Sequence, residues 1–393
     1  MPLTSTGVET RSTTGIAEID RVLGGGVVSG AILLLGGEPG VGKSTLLLQW
    51  AAKMADSSKG PVLVVSAEES PQQVAMRATR IGAADARVLV SNETSVPAIV
   101  AVAETTRPAM LVVDSIQTVE VGSGATAGGV AQVRDAAARL AAFGKRSRVP
   151  VVLIGHVTKD GSIAGPKLLE HMVDVVMYLE GDAEHGIRFL RSVKNRFGSV
   201  NEVGVFEMGE TGLTAVPDPS RMLIADRDPS AAGSILFPTM DGRRAMLVEI
   251  QALAVATKAP QPRRSAKGIP IARLHQVLAV LQRHAGITTD GHDVYLSAMG
   301  GVRITEPAAD LPMAAAVASA MTGVPVRSAA AWGEVGLTGE VRTVNRSATR
   351  RAEVERLGVD RIVSPGGEVT TIGDAIRSLG LFTGRDRHLD LVR

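Results

Sequence analysis

Cysteine is absent from this 393-residue chain, which excludes disulfides, thiolate chemistry and cysteine-ligated zinc within it. Aromatic residues make up only 3%, so the core has to be aliphatic. No uncharged apolar run reaches the roughly 18 residues that a membrane-spanning helix requires. The start, Met1-Pro2-Leu3-Thr4-Ser5, lacks the basic and apolar regions of a signal peptide, and a cytoplasmic protein is expected. Net charge is nearly balanced at +2, which removes any argument from a dominant charge of one sign. The distribution is less even. Beyond Pro217 there are 22 basic and 18 acidic residues, and 20 of the basic ones are Arg. Arginine suits bidentate contact with phosphate oxygens, although a solvated surface written in Arg rather than Lys accounts for the count equally well.

What is present is a soluble-protein composition, 45% hydrophobic and 21% charged with 43 glycines, in a chain long enough for two domains of about 150 residues or more. From Ala31 to Thr214, short β-rich apolar runs alternate with stretches of helical period. The runs are Ala31–Leu35, Pro61–Val65, Arg87–Val90, Met110–Val113 and Val151–Ile154. Strands apolar on both faces belong to a parallel sheet covered by helices, so this half is α/β. Asp174–Leu179, Ile187–Val193 and Val203–Met208 instead alternate and are joined by short polar turns, as in an antiparallel extension of the sheet. Pro217 and Pro219 mark a linker, which predicts domains over 1–216 and 217–393. Beyond it the pattern predicts helices over 271–281 and 311–321, with strands over 293–297 and 301–304.

The most specific motif is Gly37-Glu38-Pro39-Gly40-Val41-Gly42-Lys43-Ser44, which follows an apolar strand and opens a helical segment beginning at Thr45. In that context the spacing is a phosphate-binding loop. Glycines let backbone N–H groups curl around the β-phosphate, and the helix N-terminus adds its partial positive charge. Lys43 is then expected to reach the β- and γ-phosphates of ATP, and Ser44 to ligate Mg²⁺. A metal-bound triphosphate also needs a carboxylate ending a neighbouring strand, and Asp114 in Leu111-Val112-Val113-Asp114-Ser115 supplies it. Hydrolysis needs a group to polarise water. Glu68 and Glu69 follow the strand ending at Val65; Glu68 is the expected base and Glu69 a charge at a helix start.

Together with the loop, Thr14-Gly15-Ile16-Ala17-Glu18-Ile19-Asp20 and the run Leu23-Gly24-Gly25-Gly26 resemble the opening of RecA-family ATPase cores. Lys194-Asn195-Arg196-Phe197-Gly198 narrows the resemblance to the bacterial RadA (Sms) family of DNA-repair ATPases, over nearly the whole chain. The resemblance implies a RecA-like P-loop core followed by an α+β domain similar to the proteolytic domain of Lon. It also implies Glu68 as catalytic glutamate, His156 as γ-phosphate sensor, and Lys194 and Arg196 as a basic pair reaching a neighbouring subunit's ATP in a hexameric ring. DNA-binding loops would follow the strands ending at Asp114 and Ile154, with Lys159 and Lys167 as phosphate contacts. The lack of aromatics there argues against base stacking.

In Lon-like domains a serine and a lysine form the catalytic dyad. Here Met313 and Ala348 fall at those positions, so nucleophilic catalysis is not expected. Arg263, Arg264, Arg346 and Arg350 are the expected DNA contacts of this domain, with Arg346 and Arg350 four apart on one helix face. The family normally begins with a four-cysteine zinc module. This chain has none, and reads as a truncated form or a variant lacking it. The implied function is an ATP-driven DNA motor of recombinational repair, acting on single-stranded and branched DNA alongside RecA. Alternatives are another helicase or clock-type ATPase of the superfamily, an ATP-dependent protease, which Met313 and Ala348 oppose, and an ATP switch that assembles repair factors.

Overall fold

Every residue of the run Ile32–Gly36 is buried, and strand periodicity divides its side chains between two cores. Leu33 and Leu35 enter one and Ile32 and Leu34 the other. Each fully buried aliphatic side chain of this size contributes about 1.5–3 kcal/mol, so a strand of this kind is stable only with helices on both faces. The computed structural model describes residues 10–57, 60–122, 129–155, 169–181 and 186–381. It resolves into two compact units, Met1–Pro217 and Asp218–Arg393.

In the first unit a short strand pair, β1 (Arg11–Ser12) and β2 (Val27–Val28), flanks helix α1 (Ala17–Leu23). Then follow β3 (Ile32–Gly36), α2 (Lys43–Ser57), β4 (Val62–Ser66), α3 (Pro71–Arg80), β5 (Val88–Ser91), α4 (Val96–Thr106), β6 (Met110–Asp114), α5 (Val130–Ser147) and β7 (Val151–Ile154). Four more strands complete it: β8 (Val175–Gly181), β9 (Ile187–Asn195), β10 (Val203–Gly209) and β11 (Gly212–Ala215). Among the described residues they form one sheet in the order β11-β10-β9-β8-β3-β7-β6-β4-β5. From β8 to β5 all pairings are parallel, and β9, β10 and β11 extend the sheet antiparallel. Helix α3 begins on a capping box, Ser70 and Gln73 satisfying each other's backbone N–H, with Pro71 at the first turn. Helix α1 is tied down by the buried carboxylate of Glu18, which accepts from the Val205 N–H at 2.9 Å.

The second unit contains α6 (Pro219–Leu223), β12 (Ser234–Asp241), β13 (Arg244–Ala256), β14 (Arg264–Lys267), α7 (Ile271–His284), β15 (His292–Ala298) and α8 (Asp310–Thr322). It ends with β16 (Ala329–Ala331), β17 (Glu334–Val335), β18 (Val341–Arg342), α9 (Ser347–Arg356), β19 (Arg361–Val363) and α10 (Ile372–Ser378). Its main sheet runs β14-β15-β13-β12-β16-β19. Every residue of α8 from Asp310 to Ser319 is buried, as befits a helix apolar all round.

Two expectations for this unit are corrected. Gly301–Ile304 is not a strand. Val302 and Ile304 are buried in alternation as a strand would bury them, but the segment leaves a tight turn at Gly300 and meets the segment at Gly268 through a single backbone bond, the Ile304 N–H to the Gly268 carbonyl at 2.8 Å. Apolar alternation therefore produced extended chain without a ladder. Arg346 and Arg350 do not share a helix face. Arg346 is the residue before α9, in the left-handed region at φ 61°, exposed, and bonded to the Gly242 carbonyl. Arg350 is 2% exposed, spends its guanidinium on Glu306 and the Pro238 carbonyl, and lies over the Phe237 ring.

Glu306 is the hub of that buried cluster, also accepting from the Thr239 hydroxyl and the Met240 N–H at 2.8 Å each. Glu306→Ala strands a buried cation and is expected to destabilise this unit by roughly 3–5 kcal/mol in denaturant unfolding. A loss below about 1 kcal/mol would show that Arg350 does not depend on the pair.

Candidate nucleotide site

The loop between β3 and α2 keeps its shape because glycine occupies two crowded positions. Gly37 adopts φ 152°, and a Cβ there would meet the Leu179 carbonyl at 2.5 Å. Gly42 adopts φ 111°, and a Cβ there would meet Met208 Cε at 2.5 Å. A side chain at Gly37 would push the loop off the β8 backbone, and at Gly42 the positive φ itself disfavours one. Glu38, Pro39 and Gly40 are exposed at its crest, whereas Lys43 is buried. Its ammonium donates to the carbonyls of Gly37 and Glu38 at 2.9 and 3.0 Å. Burial lowers the Lys43 pKa, and the nearby carboxylates of Asp114 and Glu68 oppose that shift. Thr45 follows Ser44 in the first turn of α2.

Asp114 ends β6 beside Ser66 of β4, and its carbonyl accepts from the Ala67 N–H at 2.9 Å. The Asp114–Ser115 peptide bond is cis. Ser44, Asp114, Ser66, Glu69 and Arg77 line one cavity at this end of the sheet, so the fold brings Ser44 and Asp114 together. A hydroxyl and a carboxylate beside a phosphate loop are the hard oxygen donors that suit Mg²⁺. The two adjacent acids separate clearly. Glu69 pairs with Arg77 of α3, while Glu68 is exposed and its carboxylate accepts from the buried Ser115 hydroxyl at 2.6 Å. Sequence reading missed Ser115; a hydroxyl directly after a strand-ending Asp was the available signal.

Lys194 and Arg196 lie elsewhere. β3 and β8 pair from Leu33↔Val175 to Gly36↔Tyr178, and β8 and β9 from Val175↔Asn195 to Gly181↔Arg188. The phosphate loop is therefore at one end of the sheet, and the Lys194–Gly198 turn at the other. Six positions along β9 separate Lys194 from Arg188, which touches the loop, a span of about 20 Å. Asp174 holds the turn: one oxygen accepts from Arg196 at 3.2 Å and the other from the Ile32 N–H at 3.1 Å. Lys194 donates to the Glu170 carbonyl at 2.5 Å. Its pKa is lowered by burial and by neighbouring Arg196, against Asp174 and Glu170.

His156, Lys159 and Lys167 fall outside the described residues. Arg263 and Lys267 are exposed, but Arg264 is turned inward along the sheet edge, donating to the carbonyls of His292 at 2.5 Å and Thr289 at 3.2 Å. Arg350, buried as above, is withdrawn from the expected basic surface because its charge is already neutralised inside the fold. Among the described residues no cluster of three or more His, Cys, Asp or Glu is placed to hold a metal ion, and no helix is long and apolar enough to cross a membrane.

Residues 5–162 match the protein family described as AAA domain, a P-loop ATPase family whose chemistry uses a nucleoside triphosphate with Mg²⁺. The chain is 47% identical over 359 residues to DNA repair protein RadA of Pseudomonas aeruginosa, covering 91% of this chain and 79% of that protein. It is 46% identical over 372 residues to DNA repair protein RadA of Bacillus subtilis, covering 94% and 81%. Against DNA repair protein RadA of Streptococcus pneumoniae it is 43% identical over 379 residues, covering 95% and 89%. With a RecA-like P-loop fold, a loop that fits a triphosphate, and this likeness along nine-tenths of its length, the chain belongs to the RadA family of DNA repair proteins.

Proposed function

We propose that the protein is an ATP-dependent DNA motor of recombinational repair, assembled as a hexameric ring and acting with RecA on single-stranded and branched DNA. The observation that carries the reading is the separation of the phosphate loop from Lys194 and Arg196 at opposite ends of one sheet. A basic pair about 20 Å from its own loop serves nucleotide chemistry only if a neighbouring subunit's loop comes to it.

Each group then has a role. The loop N–H groups and Lys43 hold the β- and γ-phosphates, Lys43 exchanging the Gly37 and Glu38 carbonyls for phosphate oxygens. Ser44 and Asp114 would hold Mg²⁺, whose charge offsets that of the transferring phosphoryl group. Glu68, oriented by the Ser115 hydroxyl, accepts a proton from the attacking water. The water oxygen bonds to the γ-phosphorus as the bond to the β,γ-bridging oxygen breaks and ADP leaves. Lys194 and Arg196 of the next subunit meet the charge that spreads over the γ-phosphoryl oxygens, so turnover waits on assembly. The second unit is read as a Lon-like scaffold without protease activity: Met313 is buried inside α8 and Ala348 stands exposed on α9, so neither nucleophile nor base is available. Exposed Arg263, Lys267 and Arg346 provide its cationic surface for DNA.

Single-stranded DNA is expected to stimulate ATP hydrolysis severalfold, and Lys43→Ala to remove it. A full rate without DNA would speak against a motor, and hydrolysis without unwinding of forked DNA would favour a switch that assembles repair factors. Mixing inactive Lys43→Ala with inactive Arg196→Ala subunits is expected to restore part of the activity, because interfaces form that carry an intact loop and an intact arginine. Activity no higher than the sum of the two alone would rule out the shared site. Arg263→Glu with Arg346→Glu is expected to weaken DNA binding about tenfold or more at low salt, and equal binding isotherms for variant and parent would remove this surface.

A further inference from the structure

β9 alternates inward and outward, and its inward positions carry Arg188, Leu190 and Ser192. An arginine at the first of these, 5% exposed, is costly unless its donors are used. Its side chain is laid over Gly181, where a Cβ would meet Arg188 Cδ at 2.5 Å. The Nε so directed donates to the Val41 carbonyl at 3.0 Å, and Nη1 to the Ile187 carbonyl at 3.0 Å. Val41 is a residue of the phosphate loop. Its carbonyl belongs to the same peptide group as the Gly42 N–H, one of the donors such a loop turns toward the β-phosphate.

We propose that Arg188 is a positioning residue of the phosphate loop: it fixes the Val41–Gly42 peptide plane and polarises it, so that the Gly42 N–H is aimed and strengthened as a donor to the β-phosphate of a bound nucleotide. A cation on the carbonyl side of an amide draws charge from its N–H, and in a buried setting linked hydrogen bonds reinforce one another. The flanking backbone groups are bonded within the loop and helix, the Val41 N–H to the Glu38 carbonyl at 3.3 Å and the Gly42 carbonyl to the Leu46 N–H at 2.9 Å, and Arg188 adds the bond to the carbonyl between them. The proposal deepens the reading of this loop as the ATP site, but concerns one donor within it and does not depend on DNA or on assembly.

The test uses two near-isosteric substitutions in the full chain. Arg188→Met places a carbon where Nε stood, and Arg188→Gln places an amide nitrogen there without the charge. Binding of Mg-ADP, Mg-ATP and AMP is measured by calorimetry, with melting of the apoprotein as the folding control. Arg188→Met is expected to weaken ADP and ATP about tenfold and AMP little, since AMP has no β-phosphate, and to raise KM for ATP more than it lowers kcat. Arg188→Gln is expected to recover part of the loss, the part owed to holding the carbonyl and not to the charge. Unchanged ADP affinity in Arg188→Met, equal loss for all three nucleotides, or no recovery in Arg188→Gln would each overturn the proposal. If Arg188→Met does not melt cooperatively, Arg188→Leu, which likewise lacks donor and charge, replaces it with the same expectations. Failure of wild type to bind ADP at all would instead overturn the reading of the loop itself.

Discussion

A phosphate loop must present a row of unpaired backbone N–H groups to solvent and still hold one shape, and much of this molecule answers that demand. The parallel strands place β3 and α2 so that the loop lies between a strand end and a helix N-terminus. They do not by themselves hold the loop in register. Its glycines instead fit against Leu179 of β8 and Met208 of β10, and its Val41 carbonyl is held from β9. β8, the last of the parallel strands, and the antiparallel extension beyond it together form the wall on which the loop rests.

The same extension carries the basic pair Lys194 and Arg196, proposed above to serve a neighbouring subunit's nucleotide. β9 meets the loop at one end and leads into the Lys194–Gly198 turn at the other, where Asp174 ties Arg196 to the start of β3. One strand thus links the phosphate loop to the turn that the proposed ring would present to a neighbouring subunit. Around Asp114 the acidic residues divide in a comparable way. Glu69 is neutralised by Arg77, leaving Glu68 beside the Ser115 hydroxyl.

The arginines of the second unit show how composition can mislead. Arg350 serves Glu306, and Arg264 serves backbone carbonyls at a sheet edge. Arg227, 6% exposed, binds Ser234 and the Val326 carbonyl. Guanidinium groups with several donors are suited to satisfying buried acceptors, so a high arginine count measures internal polar bracing as well as charge offered to phosphates. Only the exposed members, such as Arg263 and Arg346, remain for the second purpose.

Sequence alone determined the features that depend on local order. These are the doubly buried strands around Leu33 and Val112, the loop from Gly37 to Ser44, the carboxylate at Asp114 and the family signature at Lys194–Gly198, each legible because periodicity, glycine spacing and motif context act over a few residues. It overreached at Gly301–Ile304, where alternation reports burial and not hydrogen-bond partners, and at Arg350, where spacing on a helix is silent about which face is covered. Only the tertiary structure decided that Glu69 is paired with Arg77 while Glu68 accepts from Ser115, that Arg188 stands behind the loop, and that Lys194 and Arg196 lie at the sheet end away from their own loop. Those outcomes depend on the order and direction of strands far apart in the chain, which long-range packing sets and no local pattern encodes.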